Sequence, residues 1–134
     1  MPKLVSVIIP SYNRRHDICR CIKSVLTQTS VSFEIIVVDD CSEDDTRIFL
    51  DLNYPDIRLI SCVRRYGPSH LRNLGLRKAE GKFILFLDSD VALPRHDILS
   101  RMVQKLSHDR DIGEIGGEIP AYLNIMNEAR GKRR

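Results

Sequence analysis

The chain has 134 residues, of which 43% are hydrophobic and 29% are charged. This length and composition fit one globular domain and exclude a disordered chain. No apolar run approaches the ~20 residues of a membrane-spanning helix, and the first apolar stretch is too short for a secretory signal. The formal charge of +3 lies entirely in the last seven residues. We therefore predict a domain over residues 1–127 and a basic tail over residues 128–134.

Four short apolar runs predict β-strands, at Leu4–Ile9, Phe33–Val38, Ile57–Val63 and Lys82–Leu87. The runs are nearly continuous in branched and aromatic residues, which is typical of strands buried on both faces of a parallel sheet. A weaker fifth strand is predicted at Ile112–Ile115.

Apolar residues at helical spacing predict a helix after each of the first four strands. The expected buried stripes are Ile18, Ile22, Val25 and Leu26, then Ile48, Phe49 and Leu52, then Leu71 and Leu74, and finally Ile98, Leu99, Met102, Val103 and Leu106. Ser42 is the expected N-cap of the second helix. Alternating strands and helices predict an α/β fold with an open, mostly parallel sheet flanked by helices.

Polar residues collect where the predicted strands end. The segments are Pro10–Asn13 after the first strand, Asp39–Thr46 after the second, Arg64–Gly67 after the third and Asp88–Asp90 after the fourth. Open α/β sheets bind their ligands beyond the carboxyl ends of their strands. We therefore expect these segments to form one site.

Asp88 and Asp90 place two carboxylates at the end of an apolar run with one residue between them. Two neighbouring negative charges repel each other unless a cation joins them. Mg²⁺ is a suitable partner, because proteins hold it with one or two carboxylates together with substrate phosphates. The alternative is that both are ordinary turn or capping carboxylates.

Four further side chains have two interpretations each. Asp39 is placed to accept a hydrogen bond from a ligand, whereas Asp40 could serve only the next helix N-terminus. Tyr12 could stack on a planar base or pack as a half-buried side chain. Arg72, in the first turns of a helix, could bind a phosphate or form a surface ion pair.

Four motifs in order resemble the family 2 glycosyltransferases, whose fold is called GT-A. The segments are VSVIIPSYNR, VVDDCSEDDT, GPSHLRNLGL and FILFLDSDVALP, and they extend over residues 4–94. Leu71 stands where that family usually has alanine. The resemblance implies a GT-A, Rossmann-like fold, here in a shortened form, and transfer of a sugar from a nucleotide donor to an acceptor.

The resemblance also implies residue roles. Pro10 and Tyr12 would line the base pocket, and Asp39 would accept from the base, often uracil, with Asp40 beside it. Arg72 would lie near the base or the diphosphate. Asp88, with Ser89, would contact the ribose and metal region, and Asp90 would bind Mn²⁺ or Mg²⁺. The metal would stabilise the departing nucleoside diphosphate.

Family members continue well beyond this length, and their later half supplies the acceptor side and the general base. Glu114 and Glu118 are the remaining acids at a plausible strand position, and neither matches the base motif. We therefore expect the donor half without the catalytic base. The alternative function is a non-catalytic nucleotide-binding fragment or interaction module.

Two other folds share single features with this sequence. A response-regulator receiver domain has an aspartate pair and a later Asp…Pro pattern, but its pair ends the first strand and a lysine follows its last strand. A phosphatase of the haloacid-dehalogenase type would open with its Asp-x-Asp motif. Neither order matches this chain.

The expected partners are a nucleotide-sugar donor and a glycan, lipid or protein acceptor, without nucleic acid. The four cysteines lack metal-ligand spacing, which favours a reduced, cytoplasmic protein. A position on the cytoplasmic face of a membrane, peripheral association with it and homo-oligomerisation stay open.

Overall fold

A computed structural model describes residues 3–108, 114–119 and 121–127, and it describes the side chains of residues 3–108. Strands and helices alternate as the sequence predicts until a final pair of strands. The elements are β1 (Val5–Ser11), α1 (Arg15–Leu26), β2 (Phe33–Asp39), α2 (Thr46–Asn53), β3 (Arg58–Ser61), α3 (Pro68–Lys78), β4 (Phe83–Leu87), α4 (Ile98–His108), β5 (Glu114–Ile119) and β6 (Ala121–Asn127). The predicted tail, residues 128–134, lies outside the described residues.

The strands form one sheet in the order β3-β2-β1-β4-β6-β5. β1 pairs in parallel with β2 and β4, and β2 pairs in parallel with β3. β6 is antiparallel to β4, and β5 is antiparallel to β6. The predicted open, mostly parallel α/β sheet is confirmed. The chain builds outward from β1 on one side and then returns to β4 on the other, so a topological switch point lies between β1 and β4.

Helices cover both faces of the sheet. One apolar core joins the sheet to α1, α2 and α4, and the other joins it to α3. Alternate strand residues enter opposite cores, as Ile9 and Ile8 do in β1, because successive side chains of a strand point to opposite faces. This double burial explains why the central strands read as continuous apolar runs.

The predicted buried stripe of α2 is wrong. Ile48 and Leu52 are 67% and 77% exposed, and the buried residues are Thr46 and Leu50. The predicted cap is wrong as well, because the Ser42 hydroxyl donates to the Asp39 carboxylate within the turn and α2 begins at Thr46. The buried face is therefore rotated away from the expected stripe.

Other differences concern element ends. Leu26, expected in the stripe of α1, is 49% exposed at the end of that helix. β3 is shorter than predicted, and Val63 is 90% exposed beyond it, because an edge strand has one neighbour to pair with. The predicted fifth strand overlaps β5 at Glu114 and Ile115, Ile112 lies outside the described residues, and β6 was not predicted. Within the described parts of the chain, no helix has the length and apolar character needed to cross a bilayer.

Candidate functional site

A cleft of about 220 Å³ opens at the carboxyl ends of the central strands. This is the switch point of the sheet, where the loop after β1 and the loop after β4 run in different directions. Its lining residues are Pro10, Ser11, Tyr12, Arg14, Asp40, Arg65, Pro68, Leu71, Asp88, Ser89 and Asp90. Six of the eight candidate residues therefore meet in one cleft, while Asp39 and Arg72 are not among its lining residues.

Asp40 holds the loop between β3 and α3 against the cleft. Its carboxylate accepts hydrogen bonds from the backbone N–H groups of Tyr66, at 2.7 Å, and Gly67, at 3.1 Å. It also pairs with the Nε of Arg65 at 3.2 Å. Burial raises the pKa of Asp40, but these three donors outweigh burial and lower the pKa below its ordinary value. The group is therefore a charged acceptor at neutral pH.

Tyr12 and Arg65 are stacked inside the cleft. The Arg65 guanidinium carbon lies 3.3 Å from the centre of the Tyr12 ring. The hydrogen bond to Asp40 raises the pKa of Arg65, so the group keeps its charge. One wall of the cleft is therefore an aromatic ring, a cation and a carboxylate in contact.

Asp39 has a different position from its neighbour Asp40. Its side chain is fully buried and accepts from the backbone N–H of Ser42 at 2.8 Å as well as from the Ser42 hydroxyl. The Ser42 hydroxyl in turn accepts from the Asn13 backbone N–H at 3.0 Å. The Asn13 side-chain oxygen accepts from Glu43 N–H at 2.8 Å. This chain of hydrogen bonds ties the loop after β1 to the loop after β2.

Left-handed backbone occurs in each of the three loops that follow β1, β2 and β3. Asn13 has φ 49°, Cys41 has φ 61° and Gly67 has φ 92°. Non-glycine residues adopt positive φ rarely, and such strain is concentrated at functional sites. Gly67 also provides an amide to Asp40, so its backbone freedom is used to aim a hydrogen-bond donor.

Asp88 and Asp90 follow β4, the neighbour of the strand that leads to Tyr12, and line the same cleft. Arg72 of α3 donates to Asp88 Oδ1 at 2.9 Å, and both side chains are partly exposed. Within the part of the chain that the structure describes, no ion pair or hydrogen bond engages the Asp90 carboxylate. Both negative charges add to burial in raising the pKa of the Cys21 thiol to about 12.

The loop that carries Asp88 and Asp90 is fastened to α1. The Ser24 hydroxyl accepts from the Leu93 N–H at 2.9 Å. The buried Gln28 side chain donates to the Arg95 carbonyl and accepts from the Leu99 N–H at 3.1 Å. These contacts set the direction in which the chain leaves β4, and so the position of the two carboxylates.

The two carboxylates fit a hard divalent cation that is shared with a diphosphate. Asp90 is free of protein partners among the described residues, and Asp88 has one oxygen that Arg72 does not bind. No group of three or more His, Cys, Asp or Glu residues suited to a metal occurs in the described ranges. Mg²⁺ and Mn²⁺ accept such a two-carboxylate site when substrate phosphates supply further oxygens.

Sequence reasoning passed over several lining residues. Arg65 and Ser11 stand in the segments that follow predicted strands, but the sequence predicts no role for either. The Ser11 residue is 2% exposed, and its hydroxyl has no hydrogen-bond partner among the described residues. The sequence feature that marks Arg65 as a cleft residue is its position two residues before the turn glycine Gly67, in the loop that faces Tyr12.

The profile of the family described as "Glycosyl transferase family 2" matches residues 6–131. The chain belongs to glycosyltransferase family 2. The resemblance inferred from the four motifs is thereby confirmed, and the match extends well beyond residue 94, where those motifs end.

Family 2 relatives include a glucosyltransferase of Escherichia coli, WfgD, named as UDP-Glc:alpha-D-GlcNAc-diphosphoundecaprenol beta-1,3-glucosyltransferase. It is 47% identical over 89 residues, which are 65% of this chain and 35% of WfgD. The succinoglycan biosynthesis protein ExoO of Rhizobium meliloti is 40% identical over 102 residues, which are 75% of this chain and 29% of ExoO. The chain thus spans about a third of the length of these relatives.

Solved glycosyltransferase structures share the fold. S. aureus TarS residues 1–349 in complex with UDP-GlcNAc is 31% identical, with a TM-score of 0.72 over 80% of this chain and 32% of that chain. The mannosyltransferase PcManGT of Pyrobaculum calidifontis, solved with GDP-Man and Mn²⁺, is 23% identical, with a TM-score of 0.87 over 99% of this chain and 47% of that chain. The GT-A architecture predicted from the motifs is therefore confirmed.

Glu114 and Glu118, considered for the general base, lie on β5.

Proposed function

We propose that the chain is the donor-binding part of a glycosyltransferase that transfers a sugar from a nucleoside-diphosphate sugar to an acceptor hydroxyl. The observation that carries this proposal is the meeting of Tyr12, Asp40 and the Asp88–Asp90 segment in one cleft at the switch point of the sheet. An aromatic face and a carboxylate acceptor suit a planar base, and a cation site suits a diphosphate.

A UDP-sugar is the donor we propose first. WfgD is named for UDP-Glc, and TarS, which is about 30% identical to this chain, has been solved with UDP and with UDP-GlcNAc. Uracil offers an imide N–H to a carboxylate acceptor and a flat face to an aromatic ring. Both kinds of group line the cleft of this chain.

We propose that Asp40, rather than Asp39, faces the base. Both residues are buried, at 0% and 1% exposure, but Asp39 is engaged by Ser42 whereas Asp40 lines the cleft. A carboxylate has about four acceptor positions, and Asp40 uses three of them on its own chain. One position is left for a ligand N–H, and Asp39 then acts by holding the two loops together.

The metal proposed for this site is Mn²⁺ or Mg²⁺, held by Asp90 and by the oxygen of Asp88 that Arg72 leaves free. When bound, such an ion neutralises charge on the departing diphosphate. Arg72 would keep Asp88 oriented toward the cleft. In an inverting transfer, the acceptor oxygen bonds to the anomeric carbon as the bond to the diphosphate breaks, and the acceptor proton passes to a general base.

Calorimetric titration of UDP with Mn²⁺ into the 134-residue chain tests this proposal. We expect saturable binding that requires the metal and weakens at least about tenfold in Asp90→Ala, because the only unpaired carboxylate of the described cleft is then lost. GDP and dTDP, titrated in the same way, rank the bases.

Asp51→Ala is the matched control, since it removes an equal charge from an exposed position of α2 outside the cleft. We expect it to bind UDP like the unchanged chain. If the folded chain binds none of the three nucleotides in the presence of Mn²⁺ or Mg²⁺, the donor-binding proposal is wrong. If UDP binds equally well without metal and to Asp90→Ala, the metal assignment is wrong.

A further inference from the structure

Two adjacent arginines, Arg64 and Arg65, differ in where their side chains lie. The Arg64 guanidinium carbon is 4.8 Å from the Tyr66 ring centre, and neither residue lines the cleft. The Arg65 guanidinium carbon is 3.3 Å from the Tyr12 ring centre, and both of these residues line the cleft. Only Arg65 of this pair is therefore in position to act on a ligand.

The Arg65 guanidinium lies directly against one face of the Tyr12 ring. Atoms in van der Waals contact lie about 3.5–4.0 Å apart, so a separation of 3.3 Å leaves no space for a third planar group. A base that stacks on this face of Tyr12 must therefore displace the guanidinium. The side chain is able to move, because it is 56% exposed, although its guanidinium donates to Asp40 and contacts the Tyr12 side chain.

The backbone beneath Arg65 is held much more firmly than its side chain. Asp40 accepts from the N–H groups of Tyr66 and Gly67, the two residues that follow Arg65. The loop therefore stays in place when the guanidinium moves. Because its backbone is fixed, the Arg65 side chain moves only a short distance. A base that replaces the guanidinium on Tyr12 then presents its outer face within reach of that guanidinium.

Resting on the proposed function, we propose that Arg65 forms the second wall of the base subsite, so that the nucleobase binds between the Tyr12 ring and the Arg65 guanidinium. The guanidinium covers Tyr12 until a base enters and then covers the base. Its planar, delocalised cation suits both surfaces, since it stacks on flat π systems in a way that a lysine ammonium does not.

Affinities of UDP and of inorganic pyrophosphate, each with Mn²⁺, separate a contact to the base from a contact to the phosphates. We expect Arg65→Ala to weaken UDP binding about tenfold by loss of the stacked cation. Pyrophosphate, which has no base, should bind Arg65→Ala and the unchanged chain equally to within about twofold. Arg65→Lys keeps the charge without the plane, so we expect it to resemble Arg65→Ala.

Arg64→Ala is the matched control, because it removes the same charge one residue away from outside the cleft. It should bind UDP and pyrophosphate like the unchanged chain, and thermal unfolding should show that all variants are folded. Equal weakening in both alanine variants, full retention of UDP affinity in Arg65→Lys, or tighter UDP binding by Arg65→Ala would each overturn the stacking role of Arg65. These outcomes leave the proposed function standing, whereas absence of nucleotide binding by the unchanged chain would refute both.

Discussion

Two adjacent aspartates show how position on a strand decides the use of a side chain. Asp39 and Asp40 follow the same apolar run, yet Asp39 bonds to Ser42 in the β2–α2 turn, whereas Asp40 bonds to the loop before α3. Successive residues of a strand point to opposite faces of the sheet. Asp39 therefore stabilises the β2–α2 turn and Asp40 stabilises the loop before α3. Of the two, only Asp40 lines the cleft.

The acid stability of the chain should depend on Asp40. Its pKa is lower in the folded state than the ordinary value near 3.8, so its charge stabilises the fold above that pH and the contribution disappears as pH falls through the folded pKa. We expect Asp40→Asn to lower the free energy of unfolding at neutral pH by about 1.5–3 kcal/mol, the range for hydrogen bonds to charged groups.

Chemical denaturation at pH 7 and at pH 3 measures this effect. The difference between Asp40→Asn and the unchanged chain should shrink at the lower pH, because pH 3 lies below the ordinary pKa that Asp40 has in the unfolded chain, so part of the stabilisation by its charge is then lost. The exposed Asp51→Asn should have little effect at either pH. A difference for Asp40→Asn that is the same at both pH values would show that its charge contributes nothing.

At the scale of elements, α3 packs unusually close to the sheet. A Cβ atom on Gly75 would overlap Ile8 Cγ2 and come within 3.3 Å of Val38 Cγ2. Both neighbours are fully buried in the core that α3 covers. The same helix begins at Pro68 beside the cleft and carries Arg72, which orients Asp88. Close packing at Gly75 therefore helps to set the position of cleft residues.

Gly75→Val tests this packing. The two residues differ by only a few tenths of a kcal/mol in helix propensity, so the main effect is overlap with Ile8. We expect a loss of about 2–3 kcal/mol in the free energy of unfolding, typical of an overpacked core, measured by urea denaturation. Arg77→Val, at an exposed position of the same helix, should cost about 0.5 kcal/mol or less. Comparable losses in the two variants would contradict the close approach.

At the scale of the whole molecule, β1 is the structural centre. It pairs with β2 on one side and β4 on the other, and its seven residues are all buried. β3 lies at one edge of the sheet, and its end residues are exposed. The cleft lies at the carboxyl end of this fully buried strand, which we expect to give its residues a rigid base.

Amide hydrogen exchange should follow this order of strands. We expect the amides of Val7 and Ile9 to exchange only through global unfolding, and those of Leu59 and Ile60 to exchange much faster by local opening of the edge. Mass spectrometry of peptides from β1 and β3 measures both rates in one sample. Equal protection of the two strands would contradict an edge position for β3.

The sequence by itself determined the α/β alternation, the parallel centre of the sheet and the family. These follow from local signals, because continuous apolar runs mark strands buried on both faces and four ordered motifs mark the donor half. Six of eight candidate residues also reached the cleft, since carboxyl ends of parallel strands meet at one edge. These predictions need only the pattern of residues along the chain.

Only the tertiary structure decided the rest. The Ser42 hydroxyl, which bonds to Asp39 within its own turn, also accepts from Asn13 in a loop 29 residues away in sequence. The contact of Arg65 with Tyr12 joins the ends of two strands that β2 separates in the sheet. Pairing of this kind carries no periodic signal, because it depends on distances in space that the sequence sets only through the completed fold.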